Sequence, residues 1–365
     1  MSAPRLTVVG NPENRRVRLY AEATARAGLP APHVVPWLDV LTGAAPRVAG
    51  DVVRIDSPGE NAAVDRILRG AAAPERVEGT ARWYRRFLAA VRSVADAMDP
   101  GARLLTDPDD LAVVFDKRRC HAVLHAAGVP VPESPTSGGA DPVRSWDDVR
   151  RTGLRRFFVK PAHGSSASGV LAVEAAGPGR VRATTSVELA PDGALFNSLR
   201  VRRYTDETQI GAIVDTLAPD GLHVERWFPK ASRHGRAADL RVVVVAGRAT
   251  HAVLRTSGSP MTNLHLGGTR GDLDAVRAAI GPERWAQALS VCERAAACFP
   301  RTLCVGVDLL PGIGWRRFAV GEVNAFGDLL PGLTGLAGGG AEGLDTYDAQ
   351  VAAVLRGAYG ETRRV

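Results

Sequence analysis

The hydrophobic pattern of this 365-residue chain changes character part-way along, and that change limits the folds open to it. Over the first hundred residues short apolar runs alternate with stretches of helical spacing. Residues 6–9 form a β-branched run closed by Gly10-Asn11-Pro12, helical spacing follows over 15–27, and 52–56 then 60–68 repeat the order. This predicts an α/β unit built on a parallel sheet. The turns at 10–14 and 57–61 fall at the carboxyl ends of its strands, where open α/β sheets bind ligands, although both also read as plain helix caps. The first lacks GxGxxG and is no dinucleotide site.

Further on, helices are expected over 77–98, with Trp83, Tyr84 and Phe87 as a core stripe, and over 110–127, ended by Gly128. Residues 129–132 are extended, and the Ser-, Gly-, Pro- and Asp-rich stretch 134–148 reads as a linker or surface loop. Strands then dominate, at 156–160, 169–174, 222–227, 239–246, 249–254, 305–310 and 318–323, with helices at 195–203, 272–280 and 283–298.

Composition narrows the function classes. A hydrophobic content of 45% supports full cores, no run of eighteen apolar residues is present, and the N-terminus has no export pattern, so a cytoplasmic protein is expected with no membrane partner. Cys120, Cys292, Cys298 and Cys304 contain no CxxC pair and read as reduced, buried thiols. The net charge of +7 comes from arginines spread along the chain rather than a basic run interleaved with aromatics, which argues against nucleic acid and is equally suited to anionic small molecules. His121 and His125 share helical spacing but have no third ligand or HExxH glutamate, and no GxSxG elbow is present. Of 46 basic residues only Lys117, Lys160 and Lys230 are lysines. In a chain that has drifted to arginine, a surviving compact ammonium either marks a place where a planar guanidinium would not serve or has survived by chance.

Three constellations could carry chemistry. Residues 157–170, with Lys160 at a strand end and His163, Gly164, Ser165, Ser166 and Gly169 in a loop leading to a second strand, suit a phosphate cradle in which backbone N–H groups approach anionic oxygens. The loop leads to a strand and not to a helix, so it is no Walker loop. Near the C-terminus, Glu322 and Asn324 repeat at strand spacing and face one way, and Asp308 on a neighbouring strand could join them; oxygen donors of this kind suit magnesium shared with phosphates. Between these lie Arg241 and Arg255 at strand ends, then Asn263, a set able to stabilise a transferring phosphoryl group or a tetrahedral adduct.

In order and spacing these pieces resemble the ATP-grasp superfamily, in particular its glutathione synthetase and RimK-type branch of carboxylate–amine ligases. Asp116-Lys117 opening a helix that ends in Ala127-Gly128-Val129-Pro130-Val131-Pro132 resembles the start of that nucleotide fold, with Lys117 and Lys160 as its two ATP lysines. Residues 163–169 resemble the phosphate cover, and Val224-Glu225-Arg226-Trp227-Phe228 resembles the hinge that reads adenine, with Glu225 as its acid. Thr262-Asn263-Leu264-His265-Leu266-Gly267-Gly268 resembles the ligases' Asn-Leu-His-Arg-Gly-Gly run, with Leu266 in place of the arginine. Asp308, Glu322 and Asn324 match the magnesium ligands, after which Phe326-Gly327-Asp328 replaces the usual Ser-Pro-Gly.

The resemblance implies an α/β (α+β) chain: an N-terminal Rossmann-like parallel-sheet domain at 1–109, a central lid subdomain at 110–228, and a C-terminal subdomain with the metal site at 229–365. It implies ATP and two magnesium ions, with manganese as the alternative ion, small carboxylate and amine substrates of amino-acid or peptide type, and amide formation through an acyl phosphate with release of ADP and phosphate. Asp308, Glu322 and Asn324 would hold metal, Arg241, Arg255 and Asn263 would serve catalysis, and a homo-oligomer is left open. A small-molecule kinase and a non-catalytic ATP-binding scaffold are the competing readings.

Overall fold

The computed structural model describes residues 3–44, 47–70, 75–139, 142–164, 167–177 and 179–358. Its first sheet holds β1 (Leu6–Gly10), β2 (His33–Pro36), β3 (Val52–Ile55) and β4 (Arg103–Leu104), all parallel in the order β2-β1-β3-β4. Every residue of β1 and β3 is buried, as expected of parallel strands covered on both faces. The turns after these strands start helices: Asn14 caps Arg15–Arg26 by accepting from the Arg16 amide at 2.8 Å, and Asn61 caps Ala62–Arg69 by accepting from Val64 at 2.9 Å. Both turns are therefore helix caps at the carboxyl edge of the sheet.

The second sheet is antiparallel and contains β5 (Arg156–Pro161), β6 (Leu171–Ala175), β7 (Val181–Leu189), β8 (Leu195–Tyr204) and β9 (Leu222–Arg226), in the order β8-β7-β6-β5-β9. The third contains β10 (Ser232–Arg233), β11 (Arg236–Val245), β12 (Arg248–Ser257), β13 (Thr269–Arg270), β14 (Cys304–Pro311) and β15 (Phe318–Asn324). Its order is β13-β12-β11-β14-β15, with β10 on β11. The third sheet packs against the Leu273–Ala297 helix and shares the largest apolar core with elements of the first hundred residues, including Trp37, Phe87 and Val91. The second sheet has its own core with Trp146, Ile210 and Ile213. Val170, Met261 and Leu266 form a small cluster joining the second and third sheets.

Several expected elements differ. The helix expected at 195–203 is strand β8: Leu199 is 75% exposed and Leu195 is paired across to Leu189 of β7. The helix of this region lies at Glu207–Leu217, capped by Asp206 and burying Ile210, Ile213, Val214 and Leu217. The helix expected at 110–127 is two, Pro108–Val114 and Lys117–Ala126, because Asp116 leaves helical geometry to accept from the amides of Arg118 and Arg119. The break expected between helices at 272–280 and 283–298, by contrast, is present: within Leu273–Ala297 the backbone leaves helical geometry at Gly281 (φ 80°, ψ 165°), just before Pro282. Among the described residues no helix is long and apolar enough to cross a membrane.

Candidate active site

All three lysines of the chain line one cleft between the second and third sheets. The cleft encloses about 780 Å³ of empty space, its open mouth included, which is within the range of small-molecule sites. Phe158, Val170, Phe228, Met261 and Leu310 give it apolar walls. Its charged groups arrive from three directions.

Lys117 stands at the start of its helix because Asp116 caps it, and its amide donates to the Ala162 carbonyl at 2.9 Å, tying the helix to the loop after β5. Its Nζ lies 2.9 Å from Glu322 Oε1 and also donates to the Gly164 carbonyl. Lys160 on β5 reaches Glu225 of the neighbouring β9, Nζ to Oε1 2.5 Å. Burial alone would push the Glu225 carboxyl up, but Lys160 and His223 outweigh it and hold it at about 2. Burial likewise works against the Lys160 ammonium, yet Glu225 and Glu322 keep it charged to higher pH than usual. Lys230 follows β9; its Nζ donates to Thr262 Oγ1 at 3.3 Å and stands 3.7 Å from Asp239 Oδ2. Burial outweighs Asp239 there and leaves this ammonium below the usual lysine range.

The floor comes from the third sheet. Register sets Arg241 beside Asp308 and Asp308 beside Glu322 across β11, β14 and β15, and Asp239 beside Arg255 across β11 and β12. An alternating line of charge results. Asp239 Oδ1 lies 2.7 Å from Arg255 Nε, Arg255 Nη2 3.0 Å from Asp308 Oδ1, and Asp308 Oδ1 2.6 Å from Arg241 Nε, and Arg241 Nη1 continues to Asp328 Oδ2 at 3.7 Å. Burial raises the Glu322 carboxyl, but Lys117 and Lys160 together bring it below the usual range.

Of the residues singled out from the sequence, Lys117, Lys160, Gly164, Glu225, Phe228, Arg255, Asn263, Asp308 and Glu322 line the cleft. Arg241 lies beneath it, ion-paired to Asp308, and Asn324 turns its amide to the Gly306 carbonyl at 3.2 Å. Arg226 points away to Glu133 at 2.8 Å, and Trp227 packs against Phe158 with the Arg156 guanidinium 4.5 Å from its ring. Gly169 has φ +73° and a Cβ there would meet Pro161 Cγ at 2.6 Å, so it shapes the loop from behind. Ser165 and Ser166 lie outside the described residues. Lys230, Asp239 and Thr262 have no role from sequence alone; the rarity of lysine is a signal for the first, and the other two stand only as neighbours of Arg241 and Asn263 in the segments that resemble the ligases.

The chemistry of the donors fits a hard cation. Among the described residues no three His, Cys, Asp or Glu side chains gather as a metal cluster, but the adjacent Asp308 and Glu322 both face the cleft. Asp308 Oδ1 is buried without an aligned hydrogen bond, since the guanidiniums near it meet it as charges at poor angles. An oxygen in that state is suited to a cation that also takes ligands from a substrate.

The chain has the ATP-grasp fold, as comparison with solved structures shows. It is similar to the D-cycloserine synthetase DcsG, with a TM-score of 0.58 and 19% identity over 97% of this chain and 99% of that one. It is also similar to the ATP-grasp ligase PsnB in complex with a phosphomimetic variant of a minimal precursor, Mg and ADP, with a TM-score of 0.51 and 17% identity over 98% and 99% of the two chains. A third likeness is to the D-alanine–D-alanine ligase of Bacillus anthracis complexed with ATP, with a TM-score of 0.52 and 12% identity over 98% and 97%. No protein-family model and no curated protein matches the chain.

Proposed function

We propose that this protein is an ATP-dependent carboxylate–amine ligase that forms an amide bond through an acyl phosphate and releases ADP and phosphate. The observation that carries this reading is the convergence of the chain's three lysines on a cleft whose floor bears adjacent carboxylates, Asp308 and Glu322. Its support from outside is that the similar chains named above include ligases, one of them solved with Mg and ADP. The same reading divides the chain at 1–109, 110–228 and 229–365 and places it in the cytoplasm.

Direct condensation of a carboxylate with an amine is slow because hydroxide is a poor leaving group. Transfer of the γ-phosphoryl group of ATP to the carboxylate supplies a better one, and the amine then displaces phosphate. Lys117, Lys160 and Lys230 hold the nucleotide's phosphates, with Gly164 allowing close approach of the loop backbone. Asp308 and Glu322, with the Asn324 amide, would hold magnesium, which when bound offsets charge on the phosphate oxygens. Arg255, fixed by Asp239, faces the cleft and stabilises negative charge on the transferring group, while Arg241 pairs with Asp308 from below and opposes the burial that raises its carboxyl. Asn263 positions the acceptor, and the apolar walls limit water that would hydrolyse the acyl phosphate.

The test is a screen of amino acids and short peptides for joint, substrate-dependent release of ADP and inorganic phosphate, with products identified by mass. A ligase frees the phosphate, whereas a kinase would leave it on the product. In the same assay Glu322→Gln is expected to lower turnover by at least about a hundredfold with an unchanged circular-dichroism spectrum. Wild-type rates in that variant would remove the metal assignment.

A further inference from the structure

Glu225 is anchored from behind by a directed chain of hydrogen bonds that the reaction does not require. His223 and Glu225 repeat at strand spacing on β9 and face one way, and both are buried. The Val224 amide donates to Thr136 Oγ1 at 2.8 Å, leaving the Thr136 hydroxyl one hydrogen to give. That hydrogen has three acceptors in reach, His223 Nδ1 at 3.2 Å, Ser134 Oγ at 3.2 Å and the Val224 carbonyl at 3.4 Å, and the first is favoured because the ionised Glu225 beside the other ring nitrogen can only accept. Burial outweighs the pull of Glu225 on the His223 ring and favours its neutral form. A neutral ring that accepts at Nδ1 must carry its proton on Nε2, which stands 3.3 Å from Glu225 Oε2. The neighbouring His121 does not compete, since its nitrogens are engaged by Ser137 Oγ at 2.9 Å and the Pro132 carbonyl at 2.7 Å.

We propose that His223 is a positioning residue for nucleobase selection: through Glu225 it fixes the acceptor that admits adenine and rejects guanine. The inference rests on the nucleotide reading above and goes beyond it. With Lys160 on one oxygen and His223 on the other, Glu225 presents only lone pairs to the cleft, beside the apolar face of Phe158. An exocyclic amino group, as on adenine, donates to those lone pairs. The carbonyl at the same position of guanine brings a second acceptor, and no proton lies between them. A side chain held at both oxygens cannot turn aside to relieve this clash.

The experiment is calorimetric titration of the full chain with ATP and with GTP, each with magnesium, read as the ratio of the two dissociation constants. The wild-type protein is expected to prefer ATP by at least about a hundredfold. In His223→Phe the ratio should fall by about tenfold, the value of one hydrogen bond. His223→Gln, whose amide can donate to Glu225 and accept from Thr136, should keep the wild-type ratio. A purely structural histidine would change stability and leave the ratio alone, so an unchanged ratio in His223→Phe overturns the proposal. Should that variant fail to fold, Glu225→Gln, nearly isosteric and offering amide hydrogens to the base, decides the matter: a shift toward GTP supports the proposal and an unshifted preference overturns it. Equal wild-type affinity for both nucleotides overturns the proposal but leaves the nucleotide reading standing, whereas a chain that binds neither removes that reading itself.

Discussion

At the scale of single residues, lysine is the most informative type in this molecule. Arginine serves nearly everywhere a cation is needed, and the three lysines meet in one cleft. A guanidinium is a planar fork suited to two-point contacts, while an ammonium can turn its hydrogens among several oxygens in a confined space. Lys160 also has an energetic role, since it compensates the buried Glu225. Lys160→Met should therefore destabilise the protein by about 3–5 kcal/mol in urea denaturation, because it leaves a buried carboxylate without its partner. Adding Glu225→Leu should recover most of that loss. If the double variant is no more stable than the single, the cost lies in packing and not in charge.

At the scale of elements, the loop after β12 shows how backbone shape sets up the floor of the cleft. Thr262 both donates to Asp239 and accepts from Lys230, and Asp239 in turn holds Arg255. Gly268 packs over this loop so tightly that a Cβ would stand 2.5 Å from the Thr262 carbonyl and 2.7 Å from that of Asn263. Gly268→Ala must displace those carbonyls and with them the Thr262 and Asn263 side chains. Turnover in the ADP-release assay should drop by roughly tenfold or more, as expected when positioning groups move by even an ångström, and activity equal to wild type would show that the loop does not set the floor. The element misread from sequence, β8, teaches a related point. Its leucine spacing is compatible with a helix, and only pairing with β7 makes it a strand.

At the scale of the whole molecule, burial of histidine links stability to pH. His121, His163, His223 and His251 are all held below their ordinary value of 6.5, with burial the largest cause in each. Their folded values are depressed, so the neutral rings cost nothing above pH 6.5; as pH falls below it, the unfolded chain takes up protons that the folded chain refuses. Glu225, held at about 2 against an ordinary 4.5, extends the same trend to lower pH. The thermal midpoint should be level from pH 8 to 7 and decline progressively from pH 6.5 toward 5, and a midpoint that rises over that interval in calorimetry would contradict the burial of these rings.

The sequence by itself determined the layered α/β character, most of the strands and most of the cleft's charged residues, because hydrophobic period and residue chemistry are local properties. Lys117, Lys160, Asp308 and Glu322 could be named before any fold was known. Only the tertiary structure decided which of these groups meet. The register of β11, β14 and β15 sets Arg241, Asp308 and Glu322 abreast, and the approach of the second sheet to the third brings Lys160 and Glu225 over them. It also gave roles to Lys230, Asp239, Thr262 and His223, whose partners lie up to 87 residues away along the chain. Contacts at such separations depend on how sheets stack and strands align, and no short window of residues records that.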